Sequence, residues 1–140
     1  MLKTIKVLSI KEPHASLLLT PYKNIETRSW ATSYRGEIYL HASKAMPSYA
    51  KEKAMWDRVL NLYVTGERIR FRNGLIYAKA ELVGCLKMTP ENIAILPQME
   101  IDAGYYEPGR YMWVMRNITP LPEPIPAKGH LGIWNTTIDE

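Results

Sequence analysis

"EIYLHAS", Glu37–Ser43, alternates strictly, with Ile38, Leu40 and Ala42 on one face and Glu37, Tyr39 and His41 on the other. A period of two marks a strand, because successive side chains of an extended chain point to opposite faces. The same rhythm recurs on both sides of this stretch. "TIKVLSI", Thr4–Ile10, puts Ile5 and Val7 on one face and reads as the first strand. "IETRSW", Ile25–Trp30, is extended by composition, with Glu26, Arg28 and Trp30 on one face and Ile25, Thr27 and Ser29 on the other. "LIYAKAELVGCLKM", Leu75–Met88, is a long strand with a bulge expected at Gly84, and "RYMWVMRNI", Arg110–Ile118, is another.

Helical signals are fewer. Pro13 suits the first turn of a short helix, "HASLLL", which "TPYKN" ends at Pro21. Tyr49, Trp56, Val59, Leu60 and Tyr63 recur at helical spacing, so the segment 47–63 reads as the longest, amphipathic helix. Thr89 and Pro90 read as the N-cap and first position of a further helix. "GERIRFRNG" is a basic strand or loop in which Arg68, Arg70 and Arg72 share one side, and "TPLPEPIPAKGHLGIW" is rich in Pro and Gly and closes in Trp134. Many short strands joined by local turns predict a mainly β or α+β fold. The expected form is a mostly antiparallel sheet curled into a small barrel with flanking short helices and one longer helix; an open sandwich is the alternative.

With 140 residues, 46% of them apolar and 23% charged, the chain is expected to form a single domain, 1–140, with an ordinary hydrophobic core. Cys85 is the only cysteine, so no internal disulfide forms, which fits a cytoplasmic protein. No apolar run is long enough to cross a bilayer, and the alternating N-terminus reads as a strand rather than a signal peptide. A net charge of +4 favours an anionic partner. Nine Tyr and four Trp against one Phe suit partly wet surfaces, including those that stack bases.

Glycine-rich phosphate loops, nucleophile elbows and the C-x-x-C and H-E-x-x-H metal motifs are absent from the sequence, which points away from zinc and gives no sign of a cofactor. The remaining chemistry is in "YKNIETRSW", Tyr22–Trp30, where Lys23 and Arg28 flank Glu26. In a shielded setting Glu26 stays ionised through these partners and can accept hydrogen bonds from a base edge or act as a general base. Lys23 can hold a phosphate or, when desolvated, serve as a base or nucleophile. The same spacing also fits an exposed salt bridge contributing about 0–1 kcal/mol. His41 and Lys44 of "HASK", and Lys128 of "PAKGH", are further candidates at a rim or turn.

In order along the chain, "VLSIKEPHASLLL", "YKNIETRSW", "YRGEIYLHASK", "AELVGCLKMT" and "YMWVMRNITPLPEPIPAKGHLGIW" resemble the ASCH (activating signal cointegrator homology) domain family from about Leu8 to Trp134. The resemblance implies a fold similar to PUA domains, a small β-barrel with a cleft across one mouth. It also implies that Lys23, Glu26 and Arg28 lie in that cleft and serve binding of RNA or a nucleotide. Arg28, Lys44 and Lys128 would then join Lys23 in favouring phosphate, Trp30 or Tyr34 would offer a stacking face, and Arg35 and His41 complete the candidate binding set. One branch of the family hydrolyses the acetyl amide of N4-acetylcytidine with a lysine, a threonine three residues later and a more distant glutamate; other members are described as ribonucleases. This chain matches the lysine at Lys23, has Glu26 at the threonine position, and offers Glu81, Glu91 and Glu100 as candidates for the third residue. It also has His14 where many bacterial relatives have tryptophan, and "TPYK" where they have a glycine.

Overall fold

The computed structural model describes residues 1–45 and 71–140; the helix expected over 47–63, together with Arg68 and Arg70, lies outside the described residues. The chain forms β1 (Leu2–Ile10), α1 (His14–Leu17), β2 (Ile25–Arg28), β3 (Gly36–Ala42), β4 (Leu75–Lys87), α2 (Pro90–Ala94), α3 (Gln98–Asp102), β5 (Tyr111–Pro126) and β6 (Ile133–Asp139). Over the described residues it is mostly β, with short helices. The strands join in one six-stranded sheet of order β2-β5-β4-β3-β1-β6, antiparallel except where β1 runs parallel to β3.

The expected closure into a barrel does not occur: β2 and β6 are the two edges of the sheet, with no ladder between them. A physical reason lies in the outer edge of β2. Its Ile25 N–H donates to Glu100 Oε1 at 3.0 Å and its Thr27 N–H to Glu26 Oε1 at 3.2 Å. Carboxylates satisfy donors that a closing strand would otherwise have to meet.

The alternation of "EIYLHAS" sorts its side chains between two apolar layers. Ile38, Leu40 and Ala42 join Leu8, Ile10, Tyr77, Leu82, Trp113 and Met115 in the larger cluster, capped by Ala15 and Leu18 from the α1 region. Tyr39, from the opposite face, packs with Ile5, Val7, Ile76, Trp134 and Ile138. Each fully buried aliphatic or aromatic side chain contributes on the order of 1.5–3 kcal/mol, so β3, buried on both faces, anchors the sheet.

Two elements run beyond their sequence readings. β5 continues through "TPLPEP" to Pro126, and β6 follows the glycine turn. Of the prolines at 120, 122, 124 and 126, Pro120 and Pro126 stand opposite Ala78 and Leu75 of β4, whereas 121–124 fall in a register shift between Ile76 and Ala78 where the missing N–H groups of Pro122 and Pro124 cost no ladder bond. Asn117, at φ 53°, turns the strand, and Leu121 and Ile125 then pack on the second cluster. The bulge expected at Gly84 coincides with a register shift between Leu82 and Gly84. Thr89 caps α2 by accepting from the Asn92 N–H, and Asn92 returns the bond to the Thr89 N–H.

Candidate nucleic-acid interface

Glu12 fixes one side of the site. Its carboxylate is fully buried and accepts from Ser16 N–H, Ser16 Oγ and Arg72 N–H, each at 2.7 Å, tying α1 to the start of the β4 arm. β1 and β2 supply the floor. Arg28 Nη2 lies 3.0 Å from Glu26 Oε2 and donates to the Ser9 carbonyl at 2.6 Å, so one guanidinium links the two strands. Glu26 is 5% exposed, and the shared strand face expected for Glu26 and Arg28 is present as this ion pair.

Lys23 lies deeper. It has no exposed surface, and among the described residues its Nζ and the Arg28 Nε are buried without a hydrogen-bond partner. The loop that carries it is fixed by Glu100, whose carboxylate accepts the N–H groups of Asn24 and Ile25 at 3.0 Å each and the Tyr106 hydroxyl at 3.4 Å. Burial lowers the Lys23 pKa, against the attraction of the Glu26 and Glu100 carboxylates. Gly104 packs here because an added Cβ would meet the Tyr106 ring at 2.8 Å and Lys23 Nζ at 3.4 Å. His14 lies in the same field, and burial holds it down to about 4, opposed by Glu26. It is neutral at pH 7.

His41 is occupied structurally. A carbonyl only accepts, so His41 Nε2 carries a proton and donates to Ala127 O at 2.8 Å. With Nδ1 then the acceptor of the neutral ring, Ser9 Oγ–H donates to it at 2.9 Å and itself accepts from Trp134 Nε1–H at 3.0 Å. Burial lowers the His41 pKa, consistent with this neutral ring. The chain of bonds seats the turn from Ala127 to Gly132, and Gly129 fits because a Cβ would come within 2.9 Å of both His41 Cε1 and Ser9 Oγ. His130 packs edge-on to Trp134 at 5.0 Å.

Above this floor opens a cleft of about 1390 Å³. Lys11, Arg28, Lys44, Arg110 and Lys128 line it, and Glu26 is the one carboxylate among the lining residues described. Lys44 runs over Gly74, whose missing side chain makes room for the lysine stem. Trp30, just past β2, and Tyr105 add partly exposed aromatic surface, 36% and 44%.

The sequence-derived candidates therefore separate. Glu26, Arg28, Trp30, Lys44 and Lys128 line the cleft; Lys23 and His41 stand behind its lining. Tyr34 and Arg35 are placed elsewhere: the Tyr34 ring lies under Lys6 and its hydroxyl donates to the Glu37 carbonyl, while Arg35 donates to the carbonyls of Thr32 and Tyr34. Of the three glutamates, Glu100 adjoins Lys23, whereas Glu81 is exposed and accepts from Asn117, and Glu91 is exposed in the first turn of α2. Sequence reasoning passed over Lys11, Tyr105, Arg110 and His130. The run "YYEPGRY", with aromatics around an arginine, was the available signal for two of them. Among the described residues no helix is long and apolar enough to cross a membrane.

Fold and site together define a mainly β module with an electropositive cleft. The ASCH domain model matches residues 8–122, and the chain belongs to the ASCH domain family. Activating signal cointegrator 1 of Homo sapiens is 28% identical over 134 residues, and its Mus musculus counterpart 28% over 132. Each match covers 91% of this chain and 21% of the relative, so the chain spans about a fifth of the length of these curated relatives.

Proposed function

We propose that this protein binds RNA or a nucleotide in the cleft between β2, the α1 region and the Ala127–Gly132 turn. One observation carries the reading. Lys11, Lys44, Arg110 and Lys128 converge on one concavity with no carboxylate partner among the described residues, while the lone lining carboxylate, Glu26, is already paired with Arg28. Unpaired cations around a neutralised floor attract a polyanion, and the Trp30 ring offers a base a stacking face. Each Glu26 oxygen retains lone-pair capacity beyond its present contact and can accept an N–H from a base edge. Lys23, enclosed, supplies potential rather than a phosphate contact.

The test is anisotropy of a labelled single-stranded RNA titrated at several salt concentrations. Lys44→Ala and Lys128→Ala are each expected to lower the slope of log K against log salt by about one. Equal affinity at low and high salt overturns the reading.

A second reading rests on Lys23. An amine with a lowered pKa between Glu26 and Glu100 is suited to acid–base chemistry, here the hydrolysis of an acylated nucleoside such as N4-acetylcytidine. A base takes a proton from water, the water oxygen adds to the acetyl carbon, and the C–N bond breaks as N4 gains a proton, giving cytidine and acetate. Acetate release that Lys23→Ala abolishes supports this reading; no release across a panel of acylated nucleosides removes it.

A further inference from the structure

Tyr105 has a construction that electrostatics alone does not account for. Its N–H donates to Thr27 Oγ1 at 3.2 Å, and its carbonyl accepts from Arg110 Nε at 3.2 Å, so both backbone groups are fixed. The Arg110 guanidinium lies over one face of the ring, 5.6 Å from its centroid. On one side in sequence, Gly104 packs so closely that a Cβ would meet the Tyr106 ring at 2.8 Å. On the other, Tyr106 is anchored to Glu100. Yet Tyr105 stays 44% exposed and lines the cleft.

An aromatic ring with a fixed backbone, a cation over one face and an edge left open to a basic cleft is a preorganised surface for another π system. Little conformational freedom is lost when a planar ligand lands on it. Trp30 is built on the same plan: its carbonyl accepts from Trp113 Nε1 at 3.1 Å, and the two indoles meet edge-to-face at 4.6 Å. Both aromatics stand beside β2, whose Arg28 binds the floor.

We propose that Tyr105, held in place beside Arg110, is a stacking subsite for an unpaired base, and that it makes the cleft selective for single-stranded over duplex RNA. This deepens the binding reading above and rests on it. A duplex buries its base faces in its own stack and offers only phosphates and groove edges, whereas a single strand can lay a base on the ring while its phosphates meet Arg110 and the lysines.

The experiment compares a single-stranded RNA carrying 2-aminopurine with a hairpin duplex of equal charge, using wild type, Tyr105→Leu and Tyr105→Phe. Tyr105→Leu is expected to weaken single-strand binding roughly 5- to 150-fold with an unchanged salt slope, and to leave duplex binding unaltered. Tyr105→Phe, which keeps the ring, stays within about two-fold of wild type, and wild type quenches the 2-aminopurine. Single-strand affinity of Tyr105→Leu within two-fold of wild type, or equal losses on both RNAs, overturns the subsite while leaving the cleft reading intact. Should Tyr105→Leu not fold, the fluorophore decides: bound RNA that remains unquenched at every position also overturns it. Wild type that binds neither RNA at low salt removes the cleft reading and the subsite together.

Discussion

Lys23 presents the sharpest energetic problem in the molecule. An ammonium with no exposed surface and no hydrogen-bond partner among the described residues is costly, and nearby carboxylates offset only part of that cost. Its pKa in the fold lies below the unfolded value of 10.5. The folded state therefore binds fewer protons between those two values, and stability rises with pH across that window. Lys23→Met keeps the volume and removes the charge, while Glu26 retains Arg28 and Glu100 retains its two backbone donors. Urea unfolding is expected to find Lys23→Met more stable than wild type at pH 7, with the gap closing as pH approaches 10.5. A gap that does not change with pH would show that the buried charge is not its source. His14 titrates in the acid range with the same sign: its folded pKa of about 4 lies below 6.5, so the stability it contributes is full above 6.5 and is lost as pH falls towards 4. That loss is on the order of 3 kcal/mol, and unfolding at pH 7 and pH 4.5 should show His14→Gln losing less than wild type.

At the scale of elements, the site depends on carboxylates and glycines that join strands to loops. Glu100 lies on α3 but determines where β2 begins, because it holds the Asn24 and Ile25 N–H groups. Glu100→Ala should cost about 2–5 kcal/mol by stranding two donors beside Lys23, measured as a lower midpoint in chemical denaturation. The turn after β5 is held through His41, Ser9 and Trp134, and Gly129→Ala forces a methyl into that network. Its expected effect is about 1–3 kcal/mol of destabilisation with weaker RNA binding, because Lys128 moves with the turn. Strand existence was legible from alternation in "EIYLHAS" and "TIKVLSI", and the α2 cap from Thr89-Pro90. The second half of β5 was not: prolines argue against a strand, and only the pairing with β4 shows that Pro122 and Pro124 fall in a register shift where no ladder bond is asked of them.

Across the whole molecule, a modest net charge of +4 understates the local field, because four cations without carboxylate partners among the described residues face one cleft. If each meets a phosphate of a single strand, affinity should fall roughly 50-fold between 50 and 200 mM salt, a titration that a patchwise, weakly basic surface would not reproduce. The sequence by itself determined the alternation that makes a mainly β protein, the ordered motifs that resemble the ASCH family, and the Glu26–Arg28 pairing on one strand face. Those are local properties, set by side-chain period and spacing. Only the tertiary structure decided that the sheet stays open, that Lys23 sits behind the cleft instead of in it, and that Glu100, Tyr105 and Arg110 gather around β2 from nearly eighty residues away. Burial and long-range juxtaposition depend on which strands become neighbours, and no spacing within a single stretch encodes that.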